Sequence, residues 1–377
     1  MKVGVLTLPL WNNYGGILQA YALTLTLNRL GHEVIFLDVK RKKLKKSHAF
    51  IQSLRRWLKN KVLNKAGPYY PNQRELEFIS NKTRNFVEKK IQPSSGWMQL
   101  SELPEFSQGL DAIIVGSDQV WRPEYCPNIE FYFLGFAPKS IRKISYAASL
   151  GTDDWRFSDQ NTLIAKNLLQ KFNAVSVREK SAVDLIRDNM EVSAVQCCDP
   201  TLLLDTTDYL NIADIANMPS GGGGLFCYIL DPEESRMQGL ENIGASLGYP
   251  IFYNMPKTFN KYFAKDPESY VFPNVESWIE CFQKSDFVVT DSFHGCVFSI
   301  IFNKPFIAIA NIDRGKTRFD SLLDLFGLND RLFSSISKIN IEMIKKEIDW
   351  KRVNKIRDRE KLKGINFLTK ALLGDLE

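Results

Sequence analysis

The chain has 377 residues, of which 44% are hydrophobic and 24% charged, with a formal net charge of +6. That length supplies cores for two domains, and no stretch approaches the run of about 18 apolar residues that a membrane-spanning helix needs. The charge is uneven: Lys40–Lys65 carries 11 Lys or Arg and no acid, which leaves the rest of the chain net acidic.

Met1-Lys2 leads straight into the apolar run Val3–Leu10, a first buried strand with no small-residue cleavage site behind it; this predicts a cytoplasmic protein. Asn12, Asn13, Gly15 and Gly16 follow. The glycines let the backbone turn tightly and approach a ligand, whereas the asparagines serve equally well as turn formers. From Ile17 the pattern is helical until Gly31, and Val34–Asp38 reads as the second strand. G-x-G-x-x-G is absent, so this βαβ start is not the dinucleotide fingerprint.

Lys40 to about Leu103 reads as an insertion of basic and mixed-charge helices, clearest over Arg74–Lys90. Within it Phe50, Ile51, Leu54, Trp57, Leu58 and Val62 recur at helical spacing. A basic helix with such a face can lie on the anionic inner membrane surface; the alternative is a solvated face with ordinary core contacts. No nucleic-acid-binding motif accompanies it, which argues against a nucleic-acid partner.

Strands resume at Ala112–Val115, Lys143–Ala148 and Ala174–Val177. Ser117, Asp118 and Gln119 directly follow the first of these, at the carboxyl edge where α/β proteins bind ligands; otherwise they form a capping turn. Arg178 stands at another strand–helix junction, where a guanidinium can grip an oxyanion bidentately or bridge to Glu179. Val192–Gln196 is one more strand, and Gly221–Gly224 marks a break in composition. The βα rhythm then restarts with strand Leu225–Leu230, helix Glu233–Leu247, strand Pro250–Tyr253 and helix Val275–Lys284.

Next come strand Phe287–Val289, the capping residues Thr290, Asp291 and Ser292, helix Cys296–Phe302 and strand Pro305–Ile309. His294 lies where that strand hands over to the helix. Unpaired N–H groups and the helix dipole attract anions there, and an imidazole can also move a proton; the bland alternative is a satisfied structural histidine. Arg314, Lys316 and Arg318 follow on the same carboxyl side, and the tail from Asp349 is a charged amphipathic helix. Six scattered cysteines without C-x-x-C spacing and only three histidines predict buried free thiols and no metal site. The expected architecture is α/β, two halves with a cleft between their carboxyl edges.

The segments Asn13-Tyr-Gly-Gly-Ile-Leu-Gln-Ala-Tyr-Ala-Leu23, Gly116-Ser-Asp-Gln-Val-Trp121, Ser176-Val-Arg-Glu179, Asp199-Pro-Thr-Leu-Leu203 and Asp291-Ser-Phe-His-Gly295 occur in one order. In that order they resemble the polysaccharide pyruvyl transferase family. The resemblance implies two Rossmann-like domains in a GT-B-like arrangement with an interdomain cleft; the boundaries expected are 1–205 (with the insertion at about 40–103) and 206–345, followed by a helix at 346–377. It implies transfer of pyruvyl from phosphoenolpyruvate to two hydroxyls of a sugar, giving a pyruvate ketal on a polysaccharide or lipid-linked precursor in exopolysaccharide or capsule biosynthesis, with no metal or redox cofactor. His294 would be the acid/base and Asp118 a second base. Arg178 would clamp the donor, with Asn13, Gly15, Gly16, Ser117, Gln119, Ser292, Phe293, Gly295, Arg314 and Arg318 also lining the substrates.

One departure stands out. Many family members have Arg two positions before the motif histidine, where this chain has Ser292; Arg314 or Arg318 then supplies the charge, or the donor differs. A nucleotide-sugar glycosyltransferase and a non-catalytic glycan-binding protein stay open as alternatives. The basic segment makes its own prediction: reversing the charges of Lys42, Lys43, Lys45 and Lys46 should lower binding to anionic vesicles, measured by cosedimentation, and leave turnover of a soluble acceptor unchanged.

Overall fold

The computed structural model describes residues 1–39, 69–126, 128–213, 223–310, 315–339 and 341–374. The proposed membrane-facing segment 40–65 and Arg314 lie outside the described residues.

The first half is a six-stranded parallel sheet in the order β2-β1-β3-β4-β5-β6. Its strands are β1 Lys2–Leu6, β2 Glu33–Phe36, β3 Ala112–Gly116, β4 Arg142–Ala148, β5 Ala174–Val177 and β6 Val195–Gln196. The second is a five-stranded parallel sheet, β11-β10-β9-β7-β8, built from β7 Leu225–Tyr228, β8 Ile251–Phe252, β9 Phe287–Thr290, β10 Phe306–Ile309 and β11 Leu332–Phe333. β3, β5, β7, β9 and β10 are buried along their whole length. Strands covered on both faces carry near-continuous apolar runs, here with Ser176 inside β5 and Thr290 closing β9, which is why they stand out in the sequence.

The longer helices are α1 Tyr14–Arg29, α2 Gln73–Ile79, α3 Asn81–Lys90, α4 Asp159–Leu169, α5 Lys180–Met190, α6 Glu234–Leu247, α7 Val275–Lys284, α8 Phe293–Ile301, α9 Lys316–Phe326 and α10 Trp350–Leu373. Some boundaries differ from the expected ones for physical reasons. The region expected as one helix over 74–90 breaks at Ser80, and Asn72 opens α2 with a reciprocal capping box to Glu75. α1 begins three residues before Ile17, so Gly15 and Gly16 lie inside its first turn. The cations Lys316 and Arg318, expected just after the last strand, open α9, and the short edge strand β11 follows it.

In each sheet the strand order reverses once, between β1 and β3 in the first and between β7 and β9 in the second. Such reversals open crevices at the carboxyl ends of the strands, where ligands of open α/β sheets bind. The two halves meet through a continuous apolar core in which residues of α1, α7 and α8 pack with Phe367, Leu368 and Leu372 of α10. Tyr14 of α1 stacks on Trp278 of α7, ring centroids 5.3 Å apart at 14°, and its hydroxyl donates to the Pro273 carbonyl at 2.8 Å. α10 then returns the chain to the first half, placing Phe367 6.1 Å from Tyr146 of β4.

Tyr14 therefore tests how tightly the halves are joined. Tyr14→Phe, which loses only the hydrogen bond, should cost about 1 kcal/mol; Tyr14→Ala, which also empties the stack on Trp278, should cost about 3–5 kcal/mol. Urea denaturation of the three proteins measures both.

Candidate active site

At the reversal point of the first sheet, the Gln19 side chain of α1 holds the loop after β3. It donates to Thr7 Oγ1 at 3.0 Å and accepts from the Ser117 amide at 2.8 Å. Asp118, with φ of 59°, occupies the left-handed region that Asp tolerates better than most residues. Asn13 does not cap α1 with its side chain; its Nδ2 donates instead to Asp118 Oδ2 at 3.3 Å. Gln119 turns the other way, accepting from Arg122 Nη1 at 2.8 Å and packing against Gly151.

The second sheet builds the facing wall. Asp291, at the end of β9, accepts from the amides of Leu230 (2.7 Å) and Asp231 (3.1 Å) and from Arg236 Nη1 (2.7 Å). It thereby ties the β7 and β9 ends together. Burial nonetheless pushes its carboxyl above the usual range, although those amides and Arg236 pull the other way. Ser292 caps α8, accepting from the Gly295 amide at 3.4 Å. His294 therefore lies in the first turn of α8, two residues before the expected helix start; an aromatic pair costs little there because the first N–H groups have no partner within the helix in any case. Gly295 sits so close to Thr290 that a Cβ would fall 2.1 Å from Oγ1.

The two walls touch at Gly15 and His294. A Cβ on Gly15 would lie 1.9 Å from His294 Nδ1, so only glycine lets the imidazole reach α1. Gly16, next to it, packs on the side chain of Asn13.

Below this contact is Asp199, 2% exposed, which follows the short strand β6. Its Oδ2 accepts from Arg178 Nη1 at 2.7 Å and stands 3.6 Å from His294 Nε2, the distance of a charge pair rather than of a formed hydrogen bond. Its Oδ1 accepts from the Thr201 amide (3.1 Å) and hydroxyl (2.7 Å), and Ser117 Oγ lies 3.4 Å from Oδ2. Burial alone would raise this carboxyl, but His294, Arg178 and Thr201 hold it well below the usual carboxylate range.

Arg178 also reaches Glu179 (Nε–Oε1 3.5 Å) and Asp118 (Nη2–Oδ1 3.8 Å). Its guanidinium carbon lies 4.4 Å from the centre of the Phe293 ring, and that of Arg318 lies 5.7 Å from it. Burial, together with the neighbouring positive charge of Arg178, pulls Arg318 down to about 10. Arg178, Glu179, Asp199, Phe293 and Arg318 border a cavity of about 20 Å³, room for about one water molecule. Buried atoms here without a hydrogen-bond partner include Arg178 Nη2, Glu179 Oε2 and His294 Nε2.

Of the residues expected from sequence, Asn13, Gly15, Ser117, Asp118, Arg178, Phe293, His294 and Arg318 thus converge. Gly16, Gln119, Ser292 and Gly295 shape the surrounding turns. Asp199 and Glu179 were missed as site residues, although both lie in motif segments.

The polysaccharide pyruvyl transferase family model matches residues 13–314. No curated protein matches the chain in sequence. Among solved structures, the S. aureus MnaA–UDP co-structure is similar with a TM-score of 0.51 at 14% identity, covering 100% of this chain and 97% of that one. A Listeria monocytogenes structure assigned as a UDP-N-acetylglucosamine 2-epimerase is similar with a TM-score of 0.51 at 10% identity, covering 96% of this chain and 90% of that one. These likenesses show the fold, two Rossmann-like α/β domains in a GT-B-like arrangement.

The Asp199 charge makes stability depend on pH. Because its folded pKa is depressed, the stabilisation is present above the unfolded value of about 4 and is lost as pH falls toward the folded one. Asp199→Asn should cost about 3–5 kcal/mol near neutral pH, where it leaves Arg178 without its closest counter-charge, and the deficit should shrink at about pH 3. Urea midpoints of both proteins at the two pH values check this.

Proposed function

The chain belongs to the polysaccharide pyruvyl transferase family, and from that premise we propose that it transfers the enolpyruvyl carbons of phosphoenolpyruvate to two hydroxyls of one sugar, forming a cyclic pyruvate ketal and releasing phosphate. The acceptor in this reading is a polysaccharide or a lipid-linked glycan precursor at the inner membrane face, in capsule or exopolysaccharide biosynthesis. The observation that supports it most is the meeting of Arg178 from one half and His294 from the other on a single carboxylate, Asp199, beside a second guanidinium. Among the described residues no helix is long and apolar enough to cross a membrane.

The donor carries a carboxylate and a phosphate, two anionic ends for two guanidiniums. Arg178 and Arg318 flank Phe293 and repel each other; an anion placed between them relieves that repulsion. Arg178 Nη2, buried and without a hydrogen-bond partner, is the donor group aimed at such a ligand. Arg318 then supplies the positive charge that many family members carry at the position of Ser292.

His294 delivers a proton to the methylene carbon, which leaves the neighbouring carbon electron-poor. One sugar hydroxyl adds there; the second adds next and displaces phosphate. One hydroxyl proton replaces the one His294 gave to the new methyl group, and the other leaves on phosphate. This scheme needs no metal or redox cofactor. Asp118, fixed by Asn13, orients the substrates from the β3 side. In this reading the halves part to admit substrate and close to exclude water, which would otherwise intercept the electron-poor carbon.

A second reading is a nucleotide-sugar glycosyltransferase, favoured only by the likeness to UDP-bound folds. Incubation with phosphoenolpyruvate and a panel of hexose glycosides, followed by mass spectrometry, separates the two. The expected product is a glycoside heavier by pyruvate less water, with phosphate released; release of a nucleoside diphosphate from a nucleotide sugar would favour the rival. His294→Ala should lower ketal formation by about a hundredfold or more, whereas a purely binding protein would keep its ligand unchanged.

A further inference from the structure

Within the proposed reaction something must take the proton of the attacking hydroxyl. Asp118 is poorly free to do so, since one oxygen accepts from Asn13 and the other faces Arg178. Asp199 is committed to Arg178, Thr201 and His294. Glu179 differs. It is fully buried, one carboxylate oxygen is held by the Ser149 hydroxyl, and Oε2 has no partner. A buried carboxylate oxygen without a donor is costly, and this residue borders the cavity between the halves.

We infer that Glu179 is the general base of the pyruvyl transfer, its free Oε2 accepting the proton of the first sugar hydroxyl. The inference rests on the proposed reaction and adds a residue to it. Arg178 spans from Glu179 at one end to Asp199 at the other, and Asp199 leads on to His294. Base and acid thus stand at opposite ends of the guanidinium that grips the donor. As the hydroxyl oxygen bonds to the electron-poor carbon, its O–H bond breaks toward Glu179 while the C–H bond formed by the His294 proton is completed. The second hydroxyl bonds to the same carbon, the carbon–phosphate oxygen bond breaks, and that proton leaves on phosphate. Glu179 gives up its proton and His294 regains one when the product departs. The groups facing Glu179 are Ser149 at the end of β4, Arg178 beside it, and Arg318 on α9.

The alternative is that Glu179 merely holds Arg178 in place, and the two roles predict opposite signs. Glu179→Gln keeps the shape and the Ser149 contact but removes a negative charge beside the donor site. If Glu179 is the base, calorimetry should show phosphoenolpyruvate bound as tightly as by wild type or more tightly, while ketal formation falls by about a hundredfold or more. Ser149→Ala, which only loosens the carboxylate, should lower turnover by about tenfold at unchanged donor affinity. Weakened donor binding by Glu179→Gln, or turnover within about threefold of wild type, overturns the inference and leaves the proposed reaction standing. A wild-type protein that forms no ketal with any glycoside overturns the reaction and the inference with it.

Discussion

A buried carboxylate shared between two halves of the molecule is the constraint on which this site depends. Asp199 is nearly inaccessible, and a charge so placed is tolerated only when paired and hydrogen-bonded. Arg178 and Thr201 come from its own half, His294 from the other. The electrostatics of the first domain are therefore completed by the second. Closure is more than an apolar docking of α1, α7 and α10: it carries an imidazole up to a carboxylate.

The same constraint explains the glycine at position 15. His294 can approach Asp199 only across the first turn of α1, and any Cβ there would occupy the space of Nδ1. The sequence thus gives up helix propensity at one residue, a cost of about 1 kcal/mol, in return for a contact spanning the chain. Both reversal points contribute to it. The first fixes α1 and the β3 loop through Gln19; the second fixes the β7 and β9 ends through Asp291.

Much of this is legible in the sequence alone. Ile113, Val288 and Ile307 lie in apolar runs because parallel strands are covered on both faces, so the alternation of strands and helices could be read directly. Arg178 and His294 were legible because each stands just past such a strand. Asp199 was harder, since β6 is two residues long and Asp199-Pro-Thr looks locally like a cap, which it also is: its Oδ1 holds the Thr201 amide. Glu179 reads as a salt-bridge partner of its neighbour, which it is, and the sequence carries no sign that its Oε2 is left without a partner. The first turn of α9 was obscured because Gly315, with φ of 95°, looks like a loop residue while it in fact starts the helix. The Gly15–His294 contact leaves no local signal at all, because nothing in either segment encodes a neighbour some 280 residues away.

The position of Ser292 connects the sequence departure to this geometry. An arginine there would occupy the N-cap of α8, where the serine hydroxyl now accepts from the Gly295 amide; a guanidinium has no acceptor and cannot make that bond. Serine keeps the first turn of α8 anchored and so keeps His294 in register with Asp199. In the proposed reading the positive charge is then supplied by Arg318, one βα unit further on and seated against the same Phe293 ring as Arg178. In that reading the anionic donor sits beside both guanidiniums. Cap and charge, which one residue cannot provide together, are divided here between two helices that converge on a single aromatic ring.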